Sequence, residues 1–152
     1  MPTINHDVLL ELSFNILRAV GVPEEDAETV SDHLVTSNLK GHDSHGVARL
    51  PVYVEQMRKS YVGWESHETV REAPALAVID GHGANGVVAM RRVVDIAVDK
   101  ARRTTFGAVG LSNVTHIGRV GDFPPRIAER DMIGMVWTNV GGIFTAPFGG
   151  VD

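Results

Sequence analysis

Apolar residues recur at helical spacing through the first sixty positions, and the period then changes. Leu9, Leu12, Ile16 and Ala19 fall on one face, and Gly21 stops the run. A second helix is predicted to open at Pro23-Glu24-Glu25-Asp26. Proline suits the first helical position, and the acids face the positive end of the helix dipole. Ala27, Val30 and Leu34 share its apolar face, and Gly41 ends it. A third helix is predicted from after Pro51 to about Lys59. Because proline is tolerated in a first turn and not in an interior, residues 42–49 read as an ordered loop feeding that helix.

Around residue 63 short apolar runs alternate with helical stretches. Strands are predicted at residues 75–80, 107–112 and 133–138, with helices at 86–103 and 125–130. This β-α-β-α-β order suggests a parallel sheet with right-handed crossovers. The chain thus divides into a helical N-terminal segment, 1–62, and an α/β part, 63–152. The last stretch, Gly141-Gly142-Ile143-Phe144-Thr145-Ala146-Pro147-Phe148-Gly149-Gly150, reads as a glycine-rich loop. No internal repeat or low-complexity tract interrupts the pattern.

Composition narrows the function classes. With 152 residues the chain allows one domain, or one and part of another. A hydrophobic share of 43% with 22% charged residues is that of a globular, soluble chain. The net charge of −5, with scattered basic residues, argues against nucleic acid as a partner. The absence of cysteine excludes disulfides, thiolate nucleophiles and cysteine metal sites, and suits a cytoplasmic protein. Asp7 and Glu11 precede the first basic residue, Arg18, which is unlike a signal peptide. No apolar run approaches the roughly 18 residues of a membrane span, so no membrane partner is expected.

The densest chemistry lies in Gly41-His42-Asp43-Ser44-His45-Gly46-Val47-Ala48-Arg49-Leu50-Pro51-Val52-Tyr53. Arg49 can grip a carboxylate with two parallel hydrogen bonds. His45 titrates near neutrality and can move a proton to a neighbouring oxygen. The competing reading is a polar helix entry with Asp43 or Ser44 as an N-cap. Ser44 as a nucleophile is disfavoured, since adjacent side chains rarely align for attack and no G-x-S-x-G elbow is present.

Three further signals compete. Gly81-His82-Gly83-Ala84-Asn85-Gly86 matches G-x-G-x-x-G between a strand and a helix. The next strand ends Leu111-Ser112-Asn113, without the acid that would hold a ribose, so a turn and helix start is the preferred reading. His42, His45 and His116 could be metal ligands, yet no H-E-x-x-H is present and Asp43 is the only nearby acid. Asn113-Val114-Thr115-His116-Ile117-Gly118-Arg119-Val120-Gly121 follows a strand, where open α/β sheets place ligands. Its glycines and Arg119 suit phosphate oxygens, the alternative being an ordinary connection. Asp122 is a candidate cap for the next helix.

The block at 41–53 resembles the malate/L-lactate dehydrogenase family of the second type, which includes ureidoglycolate, sulfolactate and diketogulonate oxidoreductases and piperideine-2-carboxylate reductases. Asp80-Gly81-His82-Gly83, residues 113–121 around His116, and Pro147-Phe148-Gly149-Gly150 agree in order and spacing. The resemblance implies NAD- or NADP-dependent hydride transfer between a 2-hydroxy acid and a 2-oxo acid, or reduction of a cyclic imine acid. It implies a nucleotide fold that is not the standard Rossmann type, and a homodimer. By resemblance, His45 is the proton donor with Ser44 in support, and Arg49 binds the substrate carboxylate. The block His116-Ile117-Gly118-Arg119-Val120 contributes to the cofactor site, and His116 is the alternative proton acceptor. Tyr53 is placed in the pocket wall, with core packing as the other reading. No metal is required. Family members are more than twice as long and continue into a Gly-Thr-Asn-Pro segment, so the resemblance is to the N-terminal part of a truncated fold. Ser60 stands where the family has glycine. A non-catalytic remnant or oligomerisation module of the same family is the alternative function.

Overall fold

The computed structural model describes residues 3–139. Three helices come first: α1 (His6–Ala19), α2 (Glu24–Leu39) and α3 (Leu50–Lys59). The Asn5 side chain caps α1 by accepting from the Asp7 N–H at 2.8 Å. Pro51 sits in the first turn of α3, where its missing N–H leaves no bond broken. Residues 42–49, expected as loop, form two single turns of 3-10 helix, Asp43–His45 and Val47–Arg49.

The second part contains β1 (Glu68–Glu72), β2 (Leu76–Ala84), α4 (Gly86–Thr104), β3 (Ala108–Val114) and α5 (Phe123–Ala128). β2 and β3 are parallel, with Leu76 opposite Ala108 and Asp80 opposite Ser112, and α4 makes the crossover. β1 pairs antiparallel on the other edge of β2. Periodicity gave no warning of β1, because every one of its residues is exposed and no apolar alternation marks it.

The strand expected at 133–138 forms no ladder among the described residues. Met132 and Val136 pack instead into the cluster between α4 and α5, and Gly134 lies against Ile127. Alternate residues point away from that cluster, leaving Ile133 and Trp137 92% and 82% exposed. An apolar alternation therefore exists, but among the described residues one face of it has no covering layer and its backbone no ladder partner. The Pro147-Phe148-Gly149-Gly150 block and the glycine-rich loop lie outside the described residues.

α4 is the hub. Val87 and Val88 join Leu17, Val30, Leu34 and Tyr53 in the core of the helical part. Val93 packs under Ala77 and Ile79 of the sheet, and Met90, Val94 and Val98 face Phe123. One apolar helix thus fixes the sheet, α5 and the N-terminal helices relative to one another. Among the described residues no helix is long and apolar enough to cross a membrane.

Candidate active site

The turn after α2 is held by one side chain. Asn38 donates through Nδ2 to Asp43 Oδ1 at 2.5 Å and accepts the Val47 N–H on Oδ1 at 2.8 Å. Neither Asp43 nor Ser44 caps a helix as the competing reading expected: Asp43 is taken by Asn38, and Ser44 Oγ lies 3.0 Å from His45 Nδ1. Gly46 leaves room for the Asn38 carboxamide, since a Cβ would sit 2.2 Å from Asn38 Oδ1 and displace it. Arg49 closes the turn by donating from Nε to the Ser44 carbonyl at 2.9 Å. Among the described residues its two terminal nitrogens form no hydrogen bond or ion pair, which leaves the forked end of the guanidinium for an anion.

His116 reaches the same place from the end of β3. Its ring centroid is 5.5 Å from that of His45 and 6.0 Å from that of Tyr53. Tyr53 Oη lies 2.8 Å from His116 Nδ1, and the Gly118 N–H is directed at the same nitrogen at 3.2 Å. A backbone N–H can only donate, so Nδ1 is the acceptor and His116 carries its proton on Nε2. Burial pushes the Tyr53 hydroxyl up to about 12, against the opposing charge of Arg49, so it stays protonated. Burial and then the Arg49 charge push both His45 and His116 below the ordinary imidazole value. Ser44, His45, Arg49, Tyr53 and His116, drawn from the 43–49 turns, α3 and the β3 loop, are therefore one cluster.

The other residues of the 116–120 block have partners inside the fold. The Gly118 N–H is used by His116, and the Arg119 N–H donates to His33 Nε2 at 2.9 Å. The Arg119 guanidinium is buried and pairs with Asp122 at 3.3 Å. Ile117 packs with the α4–α5 cluster, and Val120 begins a short 3-10 turn, Val120–Asp122. Asp122 does not cap α5 through its side chain. It accepts instead from Arg126 Nε at 3.1 Å and His33 Nδ1 at 3.3 Å. Burial alone would raise the Asp122 carboxyl, but the His33 hydrogen bond and the Arg126 charge outweigh it and hold it well below the ordinary range.

The G-x-G-x-x-G stretch is likewise engaged. Asn85 Oδ1 accepts from the Val87 and Val88 N–H groups, at 3.1 and 3.2 Å, and Thr115 Oγ1 takes the Gly86 N–H at 3.0 Å. Gly86 is glycine because a Cβ would lie 2.2 Å from the Thr115 carbonyl oxygen. This supports the turn-and-helix-start reading over a phosphate loop. Among the described residues no group of three or more His, Asp or Glu is arranged to hold a metal ion, and His42 is exposed on the surface.

Two residues of this region are not singled out by the sequence: His33 and Asn38. His33 carried a signal, because it falls three residues after Val30 on the apolar face of α2 and is fully buried. The partners of His33, Arg119 and Asp122, lie 86 and 89 residues away, so its position on the apolar face does not reveal them.

A family model described as malate/L-lactate dehydrogenase matches residues 4–152. Hydroxycarboxylate dehydrogenase B of Escherichia coli (strain K12) is 37% identical over 139 residues, which is 90% of this chain and 38% of that protein. L-sulfolactate dehydrogenase of Methanocaldococcus jannaschii is 36% identical over 143 residues, 93% of this chain and 41% of that protein. The solved structure of malate dehydrogenase from Pyrococcus horikoshii OT3 superposes with a TM-score of 0.81 at 36% identity, covering 85% of this chain and 37% of that one. The chain therefore spans about 40% of the length of the relatives it matches.

Proposed function

Because this chain belongs to the malate/L-lactate dehydrogenase family, we propose that it carries the carboxylate-anchoring and proton-moving groups of a nicotinamide-linked interconversion of small 2-hydroxy and 2-oxo acids. The observation that carries this reading is the convergence of Arg49, His45, Ser44, Tyr53 and His116 from separate elements into one cluster. Substrates of the malate, lactate or sulfolactate type share a carboxylate beside the reacting carbon. The fork of Arg49, without a partner among the described residues, matches that carboxylate. When a 2-oxo acid is reduced, its oxygen gains charge and needs a proton. His45 is assigned the proton, with Ser44 orienting its ring. His116 presents Nε2–H, a donor that polarises the same oxygen without itself being the base.

The redox partner in this reading is NAD or NADP, which supplies or removes hydride when bound. Among the described residues the Gly86, Val87, Gly118 and Arg119 N–H groups are directed at Thr115, Asn85, His116 and His33. The proton and carboxylate chemistry is what the described residues support most directly. A cytoplasmic homodimer accords with the same reading.

The test is NMR titration of the labelled 152-residue chain with oxamate, an unreactive 2-oxo acid analogue. Saturable shifts are expected at His45 and His116 and should be lost in Arg49→Ala. Absence of any shift in the folded wild-type chain would reject the substrate-site assignment.

A further inference from the structure

The proton position of His116 depends on where the backbone of its loop lies, and that loop rests on a residue that no step above uses. His33 on α2 is fully buried, 86 residues before Arg119 in sequence. Its Nε2 accepts the Arg119 N–H at 2.9 Å, and its Nδ1 faces Asp122 Oδ2 at 3.3 Å. Since a main-chain N–H can only donate, His33 bears its proton on Nδ1 and gives it to the carboxylate. Its ring stacks on Phe123 with centroids 5.9 Å apart. Gly118, at φ +75°, lies so close that a Cβ there would come within 2.0 Å of His33 Nε2. One imidazole thus seats Gly118, Arg119, Asp122 and Phe123.

The consequence passes up the loop. Gly118 is the residue whose N–H is directed at His116 Nδ1. Moving the 118–119 peptide away from α2 carries Gly118 with it and so withdraws the adjoining Gly118 N–H, the group that makes Nδ1 an acceptor. Tyr53 alone would not discriminate, because a hydroxyl can either donate to Nδ1 or accept from it.

We propose that His33 is a positioning residue: by accepting the Arg119 N–H it holds the 118–119 peptide where Gly118 fixes His116 in the Nε2–H tautomer. The inference rests on the reading of His116 as a group facing the substrate. It adds a second histidine, of opposite tautomer, that acts only through backbone. Its two ring nitrogens have separable duties. A glutamine side chain can return an acceptor to the Nε2 position, and an asparagine can return a donor to the Nδ1 position.

The experiment is long-range 1H–15N correlation on histidine-labelled full-length chain, which reads the tautomer of each ring directly. Wild type is expected to show His33 as Nδ1–H and His116 as Nε2–H. His33→Gln should leave His116 unchanged. His33→Asn, which keeps a donor towards Asp122 but loses the acceptor for Arg119, should shift the His116 tautomer ratio by about tenfold, the scale of one neutral hydrogen bond. Circular dichroism establishes that each variant is folded. If His33→Asn does not fold, Gly118→Ala perturbs the same contact from the loop side and should shift the His116 ratio alike. A folded His33→Asn or Gly118→Ala with the wild-type His116 tautomer would overturn the proposal. A tautomer response accompanied by no oxamate binding would leave the positioning role standing and reject the substrate reading instead.

Discussion

At the scale of single residues, the site is a set of imidazoles whose protonation is opposed by their surroundings. Burial and the Arg49 charge lower both His45 and His116 from 6.5. The unfolded chain therefore binds more protons than the folded one once the pH falls below that value. Stability contributed at these two positions is complete above pH 6.5 and is lost as the pH falls through the lowered folded values. A bound anion has the opposite effect, since it favours the imidazolium forms. Oxamate should thus bind more tightly as the pH falls below 6.5, and its thermal stabilisation of the chain should grow in the same window. Differential scanning fluorimetry across pH with and without oxamate checks both signs. Affinity independent of pH would mean that neither ring lies beside the anion. Arg49, Ser44 and His45 were legible as candidates because their types and spacing lie within six residues. The contact of Tyr53 with His116 was not, because 63 residues separate them.

At the scale of elements, the start of α4 decides how the β3 loop lies. Asn85 caps the helix with two backbone N–H groups on one carboxamide oxygen. Gly86 leaves room for the Thr115–His116 backbone to pass directly over the first turn. The two residues have different jobs, and their substitutions should separate. Asn85→Ala removes only the cap and is expected to lower stability by about 1 kcal/mol. Gly86→Ala drives a methyl into a backbone carbonyl that cannot rotate away, a loss of about 1–3 kcal/mol typical of overpacking. It should also displace His116 and change its NMR signals, whereas Asn85→Ala should leave them in place. Urea denaturation with histidine-resolved spectra distinguishes the two. The helix boundaries were readable from capping residues, proline and glycine to within about two residues. The 81–86 glycines, by contrast, mimic a phosphate loop in sequence, while in space Gly86 serves close backbone packing and Gly83 a positive φ of 88°.

At the scale of the whole molecule, the described residues form a helical layer and a three-stranded sheet around α4, with an apolar strip at Ile133, Met135 and Trp137 left outward. Backbone N–H groups of Gly86, Val87 and Arg119, in the two glycine-bearing loops, are engaged internally. The chain alone is therefore expected to show no saturable binding of NADH or NADPH up to about 1 mM, a free energy weaker than roughly 4 kcal/mol. Titration of nicotinamide fluorescence measures this, and saturation at micromolar concentration would show that the dinucleotide site is formed after all. By itself the sequence determined the helices, the parallel β2–β3 pair, the family resemblance and the polar residues of the 41–53 block. Those features rest on local periodicity, capping and motif spacing, which a chain carries wherever it folds. Only the tertiary structure decided that β1 adds to the sheet, that 133–138 makes no ladder among the described residues, and that His33 seats the loop of His116. A fully exposed edge strand has no apolar signature, a ladder needs a partner as well as a pattern, and a hydrogen bond across 86 residues exists only once α2 and the β3 loop are packed together.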